Sequence, residues 1–155
     1  MEIFSPYLIA LVIAYIGGQL VKTLIDAAQN RKMNWREFFK SGHMPSTHTA
    51  SMVAITTVIG FKNGWDSAVF AIAAAITLIV IYDATHVRRA VGEQGLVLRK
   101  IVDQYNREIR ENSEVGKRLP HLQKPYFSMG HLPIEVMSGG ILGVFIGLLV
   151  AFFAK

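Results

Sequence analysis

Three stretches of this chain are long and apolar enough to cross a lipid bilayer, and that single property limits the fold more than any other. They run from Pro6 to Ile25, from Ala68 to Tyr82 with its flanks, and from Pro133 to Ala154. Each is roughly 20 residues, the length that spans a hydrocarbon core about 30 Å thick at about 1.5 Å per residue. A fourth run, Thr49 to Phe61, is shorter and opens in a polar motif. It reads as a spanning helix whose first turn lies at or within the membrane surface. The expectation is an all-α integral membrane protein of about four transmembrane helices, at about 6–25, 47–63, 66–87 and 133–154. With 155 residues there is room for one such domain. Met1-Glu2-Ile3-Phe4 has no basic n-region or cleavage site, so the first run is expected to be retained as a helix.

Basic residues are distributed unevenly around these runs. Arg31, Lys32, Arg36 and Lys40 lie between the first and second. Arg88, Arg89, Arg99, Lys100, Arg107, Arg110, Lys117, Arg118 and Lys124 lie between the third and fourth. The connection between the second and third holds only Lys62 and Asp66. Because short basic loops remain in the cytoplasm, both termini are expected outside and the two basic loops inside. Beside four apolar runs, the net charge of +5 is explained by topology and anionic headgroups, and a nucleic-acid partner is not expected.

The inner stretch 88–130 has its own pattern. Val97, Ile101, Tyr105 and Ile109 recur every four residues with cations on other faces, which predicts an amphipathic helix over about 92–113. It would lie against the membrane surface or tuck beneath the bundle. Beyond it Pro120, Pro125 and Gly130 mark an irregular return. Gly139, Gly143 and Gly147 repeat at four-residue intervals in the last run and invite close approach of another helix, from this chain or from a second copy in a homo-oligomer.

On the expected topology, four clusters of reactive side chains meet at one membrane face. Lys22 and Asp26 end the first run, and Pro45-Ser46-Thr47-His48 opens the second. Asp83, His86, Arg88 and Arg89 end the third, and His131 and Glu135 open the last. A positive-inside bias accounts for the cations but not for the histidines and carboxylates. His131 and Glu135 stand four apart on one helix face. A carboxylate on one imidazole nitrogen fixes the tautomer and leaves the other as nucleophile or base. An interfacial His beside a helix-starting Glu would look the same.

Ser46 is placed to cap the second helix, whose first N–H groups suit a phosphate dianion, with Thr47 beside it. His48 in that turn can hand a proton to a leaving oxygen. Arg88 and Arg89 are topology anchors or phosphate forks. Asp83 needs a cationic partner inside a helix end, or else serves as a proton site in a transporter. His43 and His121 are weaker candidates, and the histidines lack a tight metal-ligand spacing.

Pro45-Ser46-Thr47-His48 and His131-Leu132-Pro133-Ile134-Glu135 together resemble the type 2 phosphatidic acid phosphatase superfamily, which includes the vanadium haloperoxidases. Ser41 to His48, Asp83 to Gln94 and Gly130 to Val136 are similar, in order, to the motifs of its divergent membrane branch. The resemblance implies a metal-independent lipid phosphatase that needs no cofactor. In it His131 forms a phosphohistidine, Glu135 orients His131, His48 is the general acid, and Ser46 with neighbouring N–H groups cradles phosphate. The superfamily's K-x6-R-P motif is absent, and Pro125 occupies the place of its arginine before the nucleophile. Lys22, Lys40, Arg88 and Arg89 are therefore the expected phosphate ligands. The expected substrate is a lipid phosphomonoester of the inner leaflet, such as phosphatidylglycerol phosphate or phosphatidate. A non-catalytic protein that binds anionic lipid or assembles with a partner is the alternative.

Overall fold

The computed structural model describes residues 5–28, 44–111, 119–125 and 129–153. Among them there are helices and connections but no strands. Helix α1 covers Pro6–Ala28, α2 Thr47–Asn63, α3 Ala68–Tyr82, α4 Arg88–Glu111 and α5 Pro133–Phe153, and a π-helical turn, Asp83–Val87, joins α3 to α4. Proline opens both α1 and α5, where the missing N–H is not needed and the fixed φ already suits a helix.

Three helical stretches have the length and apolarity to cross a membrane: Pro6–Ile25, the apolar part of Ala68–Glu111, and Pro133–Phe153. Their outward surface is what lipid requires. Leu78, Ile79, Ile141 and Phe152 are between 65% and 83% exposed, a large apolar area that water would not tolerate. With 17 residues, α2 is about 26 Å long, shorter than those three. It lies in the middle of the bundle, against α1, α3 and α5.

Being central makes the modest apolarity of α2 acceptable. Its hydroxyls bond back to the helix, Ser51 Oγ to the Thr47 carbonyl at 2.9 Å and Thr57 Oγ1 to the Val53 carbonyl at 2.8 Å. Thr56 and Thr77 join α2 to α3 through their hydroxyls at 2.8 Å. In a surface without water each such group must find a partner inside the protein.

The core is small: Ala10 and Ala14 from α1, Ala54 and Val58 from α2, Ile146 and Val150 from α5. Without a hydrophobic drive between helices in lipid, close packing has to supply the attraction, and small residues allow it. The glycine repeat of α5 does this within the chain, against α2. A Cβ on Gly139 would run into the Ser46 carbonyl, one on Gly143 would lie 2.5 Å from the Ala50 oxygen, and one on Gly147 2.7 Å from the Ala54 oxygen. At the far end of the bundle Gly64 adopts φ +93° and turns the chain from α2 into α3, where Ser67 accepts the Phe70 N–H. Trp65 packs edge-on to Phe61 and Phe70 there, an aromatic cluster typical of a membrane interface.

The third run does not end in a loop. The expected surface helix over 92–113 begins earlier, at Arg88, and continues α3 through the π turn. No glycine or proline interrupts the chain between Ala68 and Val91, so nothing breaks the helix at the membrane boundary. The whole stretch is 44 residues, about 66 Å, twice a hydrocarbon thickness. Helix α4 runs on from the π turn, and among the described residues it has no extensive packing against α1, α2 or α5. Segment 119–125 straps back along it. Asn106 clamps Leu122 through both amide atoms, at 2.9 and 3.0 Å, and Lys124 pairs with Asp103 at 2.8 Å.

Candidate functional site

At one end of the bundle the chain brings the start of α2, the π turn and the start of α5 into direct contact. The backbone holds them together. Ser46 N–H donates to the Glu135 carbonyl at 2.9 Å, and His131 N–H donates to the Ala84 carbonyl at 3.1 Å. Gly130 rests on the Arg88–Arg89 backbone so closely that any side chain there would collide with it. From the α1 side, Gly18 abuts Thr47, so that a Cβ on Gly18 would lie 2.9 Å from the threonine methyl.

His131 and Glu135 form the pair that their spacing predicts. His131 Nδ1 lies 2.9 Å from Glu135 Oε2, and the two side chains are only 12% and 13% exposed. The same Glu135 oxygen accepts the Leu132 N–H at 3.0 Å, the return arm of a capping box that leucine itself cannot complete. Glu135 is thus fixed by its own helix before it orients anything. With Nδ1 engaged, the other ring nitrogen, Nε2, is left for chemistry.

His48, in the first turn of α2, is exposed at the same end of the bundle. Ser46 occupies the N-cap position, but its side chain does not cap. It is fully buried, and its hydroxyl accepts from Thr49 Oγ1 at 3.0 Å. Thr47 is buried as well. What this turn offers outward is His48 and the N–H groups that have no acceptor within the helix.

The π turn explains the arginines. In an α-helix residues five apart point away from each other, whereas the i to i+5 geometry of a π turn stacks them. Asp83 and Arg88 are five apart, and Arg88 Nε donates to Asp83 Oδ2 at 2.6 Å. This supplies the cationic partner that Asp83 needs. Arg89 pairs along α4 with Glu93 at 3.2 Å. Each guanidinium carries five N–H donors, so one carboxylate contact leaves others to donate elsewhere. His86 stacks on Tyr82 with ring centroids 4.5 Å apart, and its Nδ1 lies 2.8 Å from the Thr85 hydroxyl.

Lys22 is buried near the end of α1 and is 7% exposed. Lys40 and His43 lie outside the described residues. His121 is distant in role, bonded to Asn106 at 3.3 Å beside α4. Three residues have structural roles that the sequence reading does not assign. Ala84 acts through its carbonyl and Gly130 through its lack of a side chain, and neither has a side-chain signal. Gln19 is a buried polar residue within an apolar run, which is a signal the sequence does carry.

The fold and this site define a helical membrane protein in which a His–Glu pair, a second histidine and an arginine pair meet at one end of a bundle. The chain belongs to the Divergent PAP2 family, which matches residues 4–146. It is 35% identical over 156 residues to the uncharacterized membrane protein YuiD of Bacillus subtilis (strain 168), with 99% of each chain covered. No solved structure matches it.

Proposed function

We propose that this protein is a membrane phosphatase that hydrolyses a lipid phosphomonoester through a phosphohistidine. The observation that carries the reading is the largely buried His131–Glu135 pair, at the end of the bundle where the first turn of α2 with His48 and the start of α4 with Arg88 also lie. In the first step His131 Nε2 attacks phosphorus in line. The N–P bond forms as the bond to the lipid alkoxide breaks, and His48 gives that oxygen its proton. Glu135 stabilises the positive charge that the attacking imidazole acquires. Arg88, held by Asp83, and Arg89 neutralise the equatorial oxygens, with Lys22 and Lys40 as further cations. In the second step His48 takes a proton from water, whose oxygen attacks phosphorus and releases phosphate and free His131. No metal or cofactor takes part in this scheme.

Ser46 then acts through its backbone, tying α2 to Glu135, and not through its buried hydroxyl. The basic loops support a cytoplasmic site, both termini outside, and α2 as a fourth span entered at the surface. Substrates of the inner leaflet follow from that orientation.

The test is phosphate release by the purified protein from a panel of lipid phosphates in detergent with chelator present, beside His131→Ala and His48→Ala. Chelator-resistant release lost in both variants is the expected result. A folded, monodisperse protein that releases phosphate from none of the lipids would leave the non-catalytic, anionic-lipid-binding reading in its place.

A further inference from the structure

Gln19 lies in the membrane-spanning part of α1, is 7% exposed, and its Oε1 is buried with no hydrogen-bond partner. A buried acceptor left without a donor is destabilising, and in a spanning helix water cannot make good the loss. Its place in the bundle is well defined. Helices α1 and α2 run antiparallel, from Tyr7 bonded to Asn63 at one end to Gly18 against Thr47 at the other. Gln19 follows Gly18 directly and so stands level with the first turn of α2. Lys22, one turn nearer the end of the bundle, is equally buried.

The two side chains ask for different things. Lys22 offers a positive charge to phosphate. The Gln19 oxygen cannot bind a phosphate dianion, which has only acceptors to present; it needs a donor. We infer that Gln19 accepts a hydrogen bond from a free hydroxyl on the substrate's alcohol, so that the preferred lipid is a phosphomonoester with a hydroxyl beside the phosphate-bearing carbon. This deepens the phosphatase reading above and rests on it. Gln19 acts in choosing the substrate and takes no part in proton or phosphoryl transfer.

Two lipids test the point. Phosphatidylglycerol phosphate has the neighbouring hydroxyl on its phosphorylated headgroup, and phosphatidate has none. The wild-type kcat/KM for the first is expected to exceed that for the second by about tenfold, the worth of one well-placed hydrogen bond. In Gln19→Met, of similar length but without an acceptor, the ratio should fall to within about threefold. Gln19→Glu keeps acceptor oxygens at the same reach, so it should retain the ratio while its charge, repelling phosphate, lowers turnover of both lipids. A merely structural glutamine would not yield that split, and should Gln19→Met fail to fold, the wild-type ratio between the two lipids still tests the inference. Wild-type turnover of both lipids at similar kcat/KM, or a ratio unchanged in Gln19→Met, overturns the inference and leaves the phosphatase reading standing. No release from either lipid by the folded wild type removes the phosphatase reading, and this inference with it.

Discussion

Gly143→Ala and Gly140→Ala differ by three positions on one helix, and the structure assigns them opposite consequences. A methyl on Gly143 would lie 2.5 Å from the Ala50 oxygen, 2.9 Å from Val53 Cβ and 3.1 Å from Ala50 Cα. Ordinary contacts for such a group begin at about 3.4 Å, so α2 and α5 would have to separate by several tenths of an ångström along their whole seam. Overpacking of this kind costs about 1–3 kcal/mol. Alanine recovers up to about 1 kcal/mol of helix propensity, leaving a net loss of up to about 2 kcal/mol, whereas Gly140→Ala gains that propensity without the clash. At roughly 2–4 °C per kcal/mol for a chain of this size, the Tm should drop by up to about 8 °C and fall clearly below that of Gly140→Ala. Gly140 has nothing within 4 Å, so its alanine should melt at or slightly above the wild-type temperature. Thermal unfolding in a fixed detergent, followed by tryptophan fluorescence, reads both. Equal melting of the two variants, or a lower Tm for Gly140→Ala, would refute the claim that the glycine repeat is the α2–α5 seam.

Glu135→Gln keeps the length of the side chain but removes its charge, exchanging a charge-assisted hydrogen bond to His131 for a neutral one. If the phosphohistidine scheme holds, kcat should fall at least tenfold with lipid binding retained, and an unchanged kcat would remove Glu135 from the mechanism. Single cysteines at Asn63 and Ser113 should label from outside and inside respectively; the reverse pattern would put the site on the outer face. The hydrogen bond from Lys124 holds the Asp103 carboxyl below its usual range. Because that folded-state pKa is depressed, the tether of segment 119–125 is present at neutral pH and is lost only as acidification reaches the folded pKa. Hydrogen exchange at the Leu122 amide should therefore be flat across neutral pH, once corrected for intrinsic rates, and faster in Asp103→Asn. An Asp103→Asn rate equal to wild type would show that Asn106 alone holds the strap.

The helical class and the His131–Glu135 pair were legible because both are local properties. Apolar length reports on solvent, and a separation of four is a fixed angle on a helix. The convergence of Ser46, Arg88 and His131 was inferred from topology, and the contacts of Ser46 with Glu135 and of His131 with Ala84 give it a physical form. The π turn was not legible. It depends on where one extra residue is accommodated in an unbroken helix, and Asp83-Ala84-Thr85-His86-Val87 has no composition that marks it. Nor could Ser46 have been known to turn inward, since a capping serine and a buried one look alike in sequence. The partner of the glycine repeat was equally hidden, because close-packing residues do not say which backbone they meet.

The seam between α2 and α5 also bears on how the protein comes into being. Helix α2 emerges early from the ribosome, but its first turn is tied to Glu135, which emerges only after the long basic stretch 88–130. Until α5 has entered the bilayer and slid its glycines along α2, the histidine at its head has no arginines, no Ala84 carbonyl and no second histidine beside it. A nascent or half-inserted chain therefore holds every reactive side chain of the first three helices and still lacks the assembled cluster, so membrane integration and completion of the candidate site are one event.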